Sequence, residues 1–415
     1  MEGRKKILVG YDLCNEYAQI SCYSYKTYEP VSISDKDGSG IIPNVLYLNS
    51  NNAWSYGVDA IKESQEEDGT VINDIFGKIN SGKVYKYRNE SVTGIDLLEK
   101  FLRRTLSIVK KHFPNDLISN LVITTKTMDK SLVNALYEAL ERIGILKDRA
   151  KVISHSESYV YYALNMGKEL WVNDVALFDF SKSSFTYYQI SINRRIKPMI
   201  AGIIKKDFSN VLDYSMINEN IVYAFENILN RAMYKQIIST VYFTGEGFIG
   251  EWANESIKDL CQGRRVFIGQ NMYSKGACYA AKEDSGDTSL HDYIILSSEM
   301  ITSTISIMVY DKSKYKEIQL IGKPMLWQDV DESLEIILDN QREIEFTIRN
   351  IMTKDFNKIN LILDVLPERP NKMTRILIKA ICPKEDRVNI EVVDLGFGEF
   401  YPSSGKTWKL TVDLM

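Results

Sequence analysis

Two aspartates in similar local sequences are the first candidates for chemistry. Asp12 follows the apolar run 5–11, and Asp179 lies in the run 175–180. In both places a short polar turn and a second β-like run come next, so each aspartate ends the first strand of a predicted hairpin. An aspartate there can simply hydrogen-bond its own turn, and that structural role stays open beside a binding role. Lys182 adds a charge that can bind phosphate.

The elements that would position these residues are predicted from the spacing of apolar residues and from turn signals. The hairpin pattern occurs near residues 7 and 175, which indicates an internal duplication. The other predictions are helix 94–112, strand 121–125, a helix capped by Asp129, strand 151–153, helix 159–166 stopped by Gly167, a helical stretch 221–238, strand 240–244 leading into a glycine turn, and a helix from about Glu251.

The C-terminal third has a different pattern of apolar and polar residues. The polar, acidic segment Lys282–Thr288 is the best linker candidate. From residue 292 onward apolar and polar residues mostly alternate, with turn signals between the runs. This pattern predicts a sandwich-like all-β domain.

Composition excludes several classes of protein. A chain of 415 residues suggests two or three domains. Its net charge of -4 gives no support to a nucleic-acid partner, and no apolar run is long enough for a membrane span. The five cysteines form no C-x-x-C pair, which favours a reducing, cytoplasmic location. His112, His155 and His291 are far apart, so a histidine-based metal site is not expected.

Five segments, in order, resemble the actin and heat-shock chaperone superfamily. Their counterparts are a first phosphate loop, two connecting segments, a second phosphate loop and an adenosine loop, at 10–13, 122–125, 153–157, 178–183 and 243–248. Three later segments resemble the β-domain of the seventy-kilodalton heat-shock chaperones: 366–372, 388–393 and 404–412. The run 292–296 stands where their apolar interdomain linker would be.

The resemblance implies a specific architecture. It is an α/β actin-like (ribonuclease H-like) two-lobed ATPase-fold domain, with lobe I at 1–170 and lobe II at 171–285. The short span between 183 and 243 implies that the adenine-side subdomain of lobe II is largely absent. Residues 286–415 would form a β-sandwich like the chaperone substrate-binding β-domain, without its helical lid.

The same resemblance implies the residues of a nucleotide site. Asp12 and Asp179 would hold magnesium and its waters if a nucleotide binds, and together with Glu157 they form the candidate catalytic set. Glu157 is equally consistent with an ordinary helix start. The candidate cofactor-binding residues are Asn15, Glu16, Ser181, Lys182, Ser183, Gly245, Glu246 and Gly247.

The sequence departs from the family at the phosphate loops. Glu16 stands where a hydroxyl residue usually meets phosphate, and a carboxylate there repels phosphate unless a cation intervenes. Three glycines of the second loop are replaced by Ser181, Lys182 and Ser183, although glycine lets backbone N–H groups approach an anion closely. We expect a degenerate cleft in which Lys182 pairs with Glu16 in place of phosphate and magnesium.

These observations predict a chaperone-like binding or scaffolding protein that is a pseudo-ATPase, with a protein or an extended peptide as partner and with neither nucleic acid nor membrane. One alternative is a slow, divergent Mg-ATPase chaperone that uses Asp12, Asp179 and Lys182. Another is an assembly protein of the bacterial actin kind. Enzymatic activity is left open: ATP with magnesium is a possible cofactor, and none is favoured.

Overall fold

A computed structural model describes residues 6–35, 38, 40–88, 90–212, 214, 221–352 and 355–414. Residues 1–5, where lobe I and its first strand were predicted to begin, and Met415 lie outside the described residues. The chain divides into two compact units, 1–298 and 299–415. This division falls later in the chain than the boundary predicted at 285.

The first unit combines helices with several sheets. Its helices are α1 Gly57–Glu66, α2 Ile75–Ser81, α3 Gly94–His112, α4 Lys130–Arg142, α5 His155–Leu164, α6 Ile221–Met233, α7 Asn254–Leu260 and α8 Met272–Asp284. Its strands are β1 Lys6–Leu13, β2 Tyr17–Ser24, β3 Glu29–Ile33, β4 Ile42–Pro43, β5 Leu46–Asn49, β6 Trp54–Tyr56, β7 Gly69–Ile72, β8 Val84–Tyr87, β9 Glu90–Thr93, β10 Leu117–Thr125, β11 Ala150–Ser154, β12 Asp174–Ser181, β13 Ser184–Asn193, β14 Met199–Asp207, β15 Ile238–Thr244, β16 Arg265–Ile268 and β17 Tyr293–Leu296.

Two larger sheets of this unit repeat one topology. The first has the order β11-β10-β1-β2-β3, and the second has the order β16-β15-β12-β13-β14-β17. In each sheet an antiparallel three-stranded meander is extended by two parallel strands on the side of its first strand. The repeated strand-turn-strand pattern of the sequence is therefore present in both sheets.

Helices α5 and α8 connect the two sheets through a shared core. Residues of both helices and of strands in both sheets form one buried cluster, including Leu8, Tyr159, Leu177 and Ala280. The central strands read as nearly continuous apolar runs because both of their faces are covered. Gly10 allows the closest approach, since a Cβ there would lie 2.1 Å from the carbonyl oxygen of Ser274 on α8.

Several predicted boundaries need correction. Helix α5 ends at the cap residue Asn165, so Gly167 does not stop it, and Asp129 occupies the N-cap of α4 without a capping side-chain hydrogen bond. The predicted helical stretch 221–238 is helix only to Met233. The linker candidate Lys282–Thr288 begins inside the last turn of α8. The run 292–296 contributes β17, which pairs with β14 in the second sheet.

The second unit is β-rich, as the alternating pattern predicted. Its strands are β18 Met300–Ile301, β19 Ser303–Asp311, β20 Lys314–Ile321, β21 Met325–Leu326, β22 Asp331–Ile337, β23 Glu343–Asn350, β24 Phe356–Ile362, β25 Arg375–Lys384, β26 Arg387–Gly396 and β27 Thr407–Asp413. Two antiparallel sheets, β20-β19-β23-β24 and β22-β25-β26-β27, bury a common core that includes Ile305, Phe346, Ile378 and Ile390. In the described part of the chain, no helix has the length and apolar character needed to cross a membrane.

Candidate functional site

A narrow cleft in the first unit gathers side chains from both repeated sheets. It lies where β1, β10, β12 and β15 end, and the carboxyl ends of strands are where α/β sheets usually bind ligands. Its lining residues are Cys14, Glu16, Tyr17, Lys126, His155, Asp179, Ser181, Lys182, Ser183 and Glu246. Between them there is room for roughly one ordered water molecule.

Asp12 is buried beside this cleft and is bound by a histidine. Its Oδ1 lies 2.7 Å from Nε2 of His155, the first residue of α5. The imidazole stacks on the ring of Tyr273, with centroids 3.8 Å apart and planes 15° from parallel. The Cys14 thiol completes the cluster, and burial raises its pKa well above the usual value. One carboxylate oxygen of Asp12 therefore already has a protein partner.

Asp179 is also engaged by the protein. The Tyr273 hydroxyl donates a 2.6 Å hydrogen bond to its Oδ2. Burial raises the pKa of the Asp179 carboxyl, and the charge of Lys126 and the bond from Tyr273 only partly oppose this. Asp179 consequently has a weaker preference for the charged form than an exposed aspartate has.

The positive charge that hydrogen-bonds to the turn between β12 and β13 comes from Lys126, not from Lys182, which is part of that turn. Its Nζ donates to Ser181 Oγ at 2.6 Å and lies 3.3 Å from Ser183 Oγ. The backbone N–H of Lys182 donates to Glu246 Oε1 at 3.0 Å, so a backbone donor that could meet an anion is already used.

The predicted pairing of Lys182 with Glu16 is wrong. Both residues line the cleft, but no ion pair within 4.0 Å joins them among the residues that the structure describes. The Lys182 ammonium instead lies 6.0 Å from the centroid of the Tyr214 ring.

The remaining predicted residues have other surroundings. Glu157 accepts from Lys151 at 3.3 Å and is not among the residues that line the cleft. A Cβ at Gly245 would lie 2.2 Å from the Phe180 carbonyl oxygen, and one at Gly247 would lie 2.3 Å from the Phe180 ring. Both glycines therefore let the turn pack against β12, and neither lines the cleft.

Asn15 is half-buried near the cleft. Its Oδ1 has no hydrogen-bond partner among the described residues.

Sequence reasoning missed five residues of this site: Cys14, Tyr17, Lys126, His155 and Tyr273. For Lys126 and His155 a signal existed, because Lys126 directly follows the predicted strand 121–125 and His155 lies two residues after the predicted strand 151–153. Tyr273 had no such signal, since its helix carries no motif and its contact with Asp179 depends on the packing of α8.

The fold and the cleft define an α/β protein with a repeated sheet topology, joined to a β-rich unit. The chain belongs to the family of unknown function DUF5716, C-terminal, whose profile matches residues 27–298. Residues 300–414 match a second profile, the domain of unknown function DUF8552. The two matches meet where the compact units meet. No curated protein matches the chain.

Proposed function

We propose that this chain is a chaperone-like binding or scaffolding protein whose first unit is an actin-like, two-lobed pseudo-ATPase. Two observations support the fold assignment. Five segments resemble the superfamily in the expected order, and the two larger sheets repeat one topology, as two related lobes would. The ends of the first strands of both sheets, at Asp12 and Asp179, lie at one cleft.

The observation that carries the pseudo-ATPase proposal is that the cleft's polar groups bind one another. Asp12 is bonded to His155, and Asp179 is bonded to Tyr273. Magnesium prefers oxygen ligands and waters, whereas the nearest side chains to the Asp12 carboxylate are an imidazole and a thiol, and phosphate needs free backbone donors. Glu246 already accepts the N–H of Lys182. The arrangement therefore does not fit a magnesium nucleotide.

The charged side chains that line the cleft also disfavour nucleotide binding. Glu16 and Glu246 line it together with Asp179, against Lys126 and Lys182. Negatively charged carboxylates that line a cleft repel an approaching polyphosphate. The two lysines offset part of this repulsion, but Lys126 is already hydrogen-bonded to the serine hydroxyls.

Titration of the full chain with MgATP and with MgADP tests this proposal. We expect no heat of binding in calorimetry and no thermal stabilisation at millimolar nucleotide. A micromolar affinity would contradict the proposal and favour the divergent Mg-ATPase. In that case Asp179→Asn should abolish the binding, while the matched control Asp148→Asn, at an exposed position, should leave it intact.

The partner-binding role is assigned to the second unit. Its resemblance to the chaperone β-domain lies in residues 366–372, 388–393 and 404–412. Its outer strands β20 and β24 present exposed Tyr315, Phe356 and Ile362. Strands at a sheet edge can bind an extended peptide through backbone hydrogen bonds. A protein that contains an extended segment is therefore the proposed partner.

A further inference from the structure

Three buried side chains beside the cleft present the kinds of atoms that bind transition metals. Asp12, Cys14 and His155 are 1%, 6% and 2% exposed. The Cys14 Sγ lies 3.7 Å from Asp12 Oδ1 and 3.9 Å from His155 Nε2, and the last two atoms are 2.7 Å apart. One thiol, one imidazole and one carboxylate thus converge within a single ion's reach.

The spacing of these atoms is close to that of a tetrahedral zinc site. Zinc bonds of about 2.3 Å to sulfur and about 2.0–2.2 Å to nitrogen and oxygen place neighbouring ligand atoms roughly 3.4–3.6 Å apart. Both distances from Cys14 Sγ exceed this range by only a few tenths of an ångström. The Asp12–His155 distance has to open from its hydrogen-bonded value, because the ion takes the place of the proton between these two atoms while the Cys14 thiol releases its own proton to solvent.

Local structure holds the three ligands in position. The Cys14 N–H donates to the Tyr17 carbonyl at 2.8 Å, and Asn44 Nδ2 donates to the Cys14 carbonyl at 2.9 Å. His155 is fixed by its stacking on Tyr273. A ligand set that is already oriented loses less conformational freedom when it binds an ion.

Two atoms of the cluster have unmet bonding capacity. Asp12 Oδ2 and His155 Nδ1 are buried without a hydrogen-bond partner among the residues described. A buried carboxylate oxygen without a partner is costly, and a nearby cation would compensate for it. Because Nδ1 lacks the outer partner that metal-bound histidines usually have, we expect an affinity below that of a closed structural zinc site.

We propose that Asp12, Cys14 and His155 form a binding site for a single zinc-class divalent ion, with its fourth position facing the cleft. Sulfur and imidazole ligands select zinc or cobalt over magnesium and calcium, which prefer oxygen. Cys14 and His155 line the cleft, so a water molecule can reach the fourth position. This proposal goes beyond the chaperone-like role and does not depend on it.

Cobalt titration of the metal-free full chain tests the site. We expect one equivalent of Co²⁺ to bind with a thiolate-to-cobalt absorption band, and Zn²⁺ to displace it. Cys14→Ser should remove the band. His155→Gln should weaken Zn²⁺ binding, measured against a chromophoric chelator, by more than the roughly 10–100-fold that loss of an outer-shell partner costs.

Cys261→Ser is the matched control, because Cys261 is the exposed cysteine and should contribute nothing to the band. The proposal is overturned if wild-type protein takes up no cobalt, or if it takes up cobalt without thiolate absorption. It is equally overturned if the band survives Cys14→Ser. Where Cys14→Ser does not fold, His155→Gln tests the same site, and an unchanged Zn²⁺ affinity in that variant would overturn the proposal.

Discussion

At the scale of single residues, the buried carboxylate of Asp394 accepts hydrogen bonds from three residues of the second unit. Arg369 donates to it from both terminal guanidinium nitrogens, Nη1 and Nη2, at 2.7 and 2.8 Å. The N–H and hydroxyl of Ser404 and the N–H of Gly396 also donate to it. Two of the three segments that carry the sequence resemblance, 366–372 and 404–412, therefore meet at one buried carboxylate.

Arg369→Ala should destabilise the protein strongly. Removing one partner of a buried ion pair costs about 3–5 kcal/mol, because the other charge stays buried without compensation. Arg387→Ala is the matched control: its partner Asp413 is 79% exposed, and such pairs contribute about 1 kcal/mol or less. The free energy of unfolding of the two variants is compared in urea, with hydrogen exchange of the β26 amides as the probe of the second unit. Equal losses would contradict this account.

The same pair predicts a dependence on pH. Burial alone would raise the pKa of the Asp394 carboxyl, but the bonds from Arg369 and Ser404 outweigh it and hold the pKa well below its usual range. A group with a depressed folded pKa stabilises the protein above its unfolded pKa of about 3.9, and this contribution is lost as pH falls toward the folded pKa. Acid titration of stability should therefore be steeper for wild type than for Arg369→Ala.

At the scale of elements, close helix packing in the first unit depends on glycine. A Cβ at Gly276 of α8 would lie 2.0 Å from the carbonyl oxygen of Ser158 on α5. Glycine in a helix interior ordinarily costs about 1 kcal/mol relative to alanine. Its presence here indicates that the contact between α5 and α8 outweighs helix propensity.

Gly276→Ala should consequently lower the melting temperature, although alanine favours helix formation. The obstructing atom belongs to the backbone and cannot rotate away, and overpacking of this kind costs about 1–3 kcal/mol. Gly263→Ala is the control, because a Cβ there meets nothing within 4 Å. Thermal unfolding measures both. An unchanged or higher melting temperature for Gly276→Ala would refute the close packing.

At the scale of the whole molecule, the chain consists of two units with separate cores. Each unit has its own clusters of buried apolar residues, and the two family matches follow the same division. A unit with its own core can diverge in function without disturbing its neighbour. A first unit whose cleft binds no nucleotide is thus compatible with a second unit that binds a partner.

A peptide array probed with the full chain tests the partner-binding role. We expect binding of extended sequences in which apolar and polar residues alternate, because strand pairing presents alternate side chains to one face. Binding should survive Asp179→Asn, since that residue belongs to the cleft of the other unit. An array without binders would contradict peptide binding and favour a second unit that docks one dedicated folded partner.

The sequence by itself determined the features that depend on local interactions. Helix α3 was predicted with its observed bounds from apolar periodicity, and the structure shows that a capping box formed by Thr93 and Asp96 begins it. The two hairpins and the β-rich second unit were likewise predicted from residues near one another in the chain. The run 292–296, placed by resemblance at an interdomain linker, contains β17, whose pairing with β14 involves a partner distant in sequence.

Only the tertiary structure decided which residues meet in the cleft. His155 contacts Asp12 across 143 residues of sequence, and Tyr273 contacts Asp179 across 94. The sequence indicated both aspartates, but it assigned the nearby positive charge to Lys182 instead of Lys126. Contacts of this kind depend on the packing of α5 and α8 between the sheets, and no local preference of the chain encodes that packing.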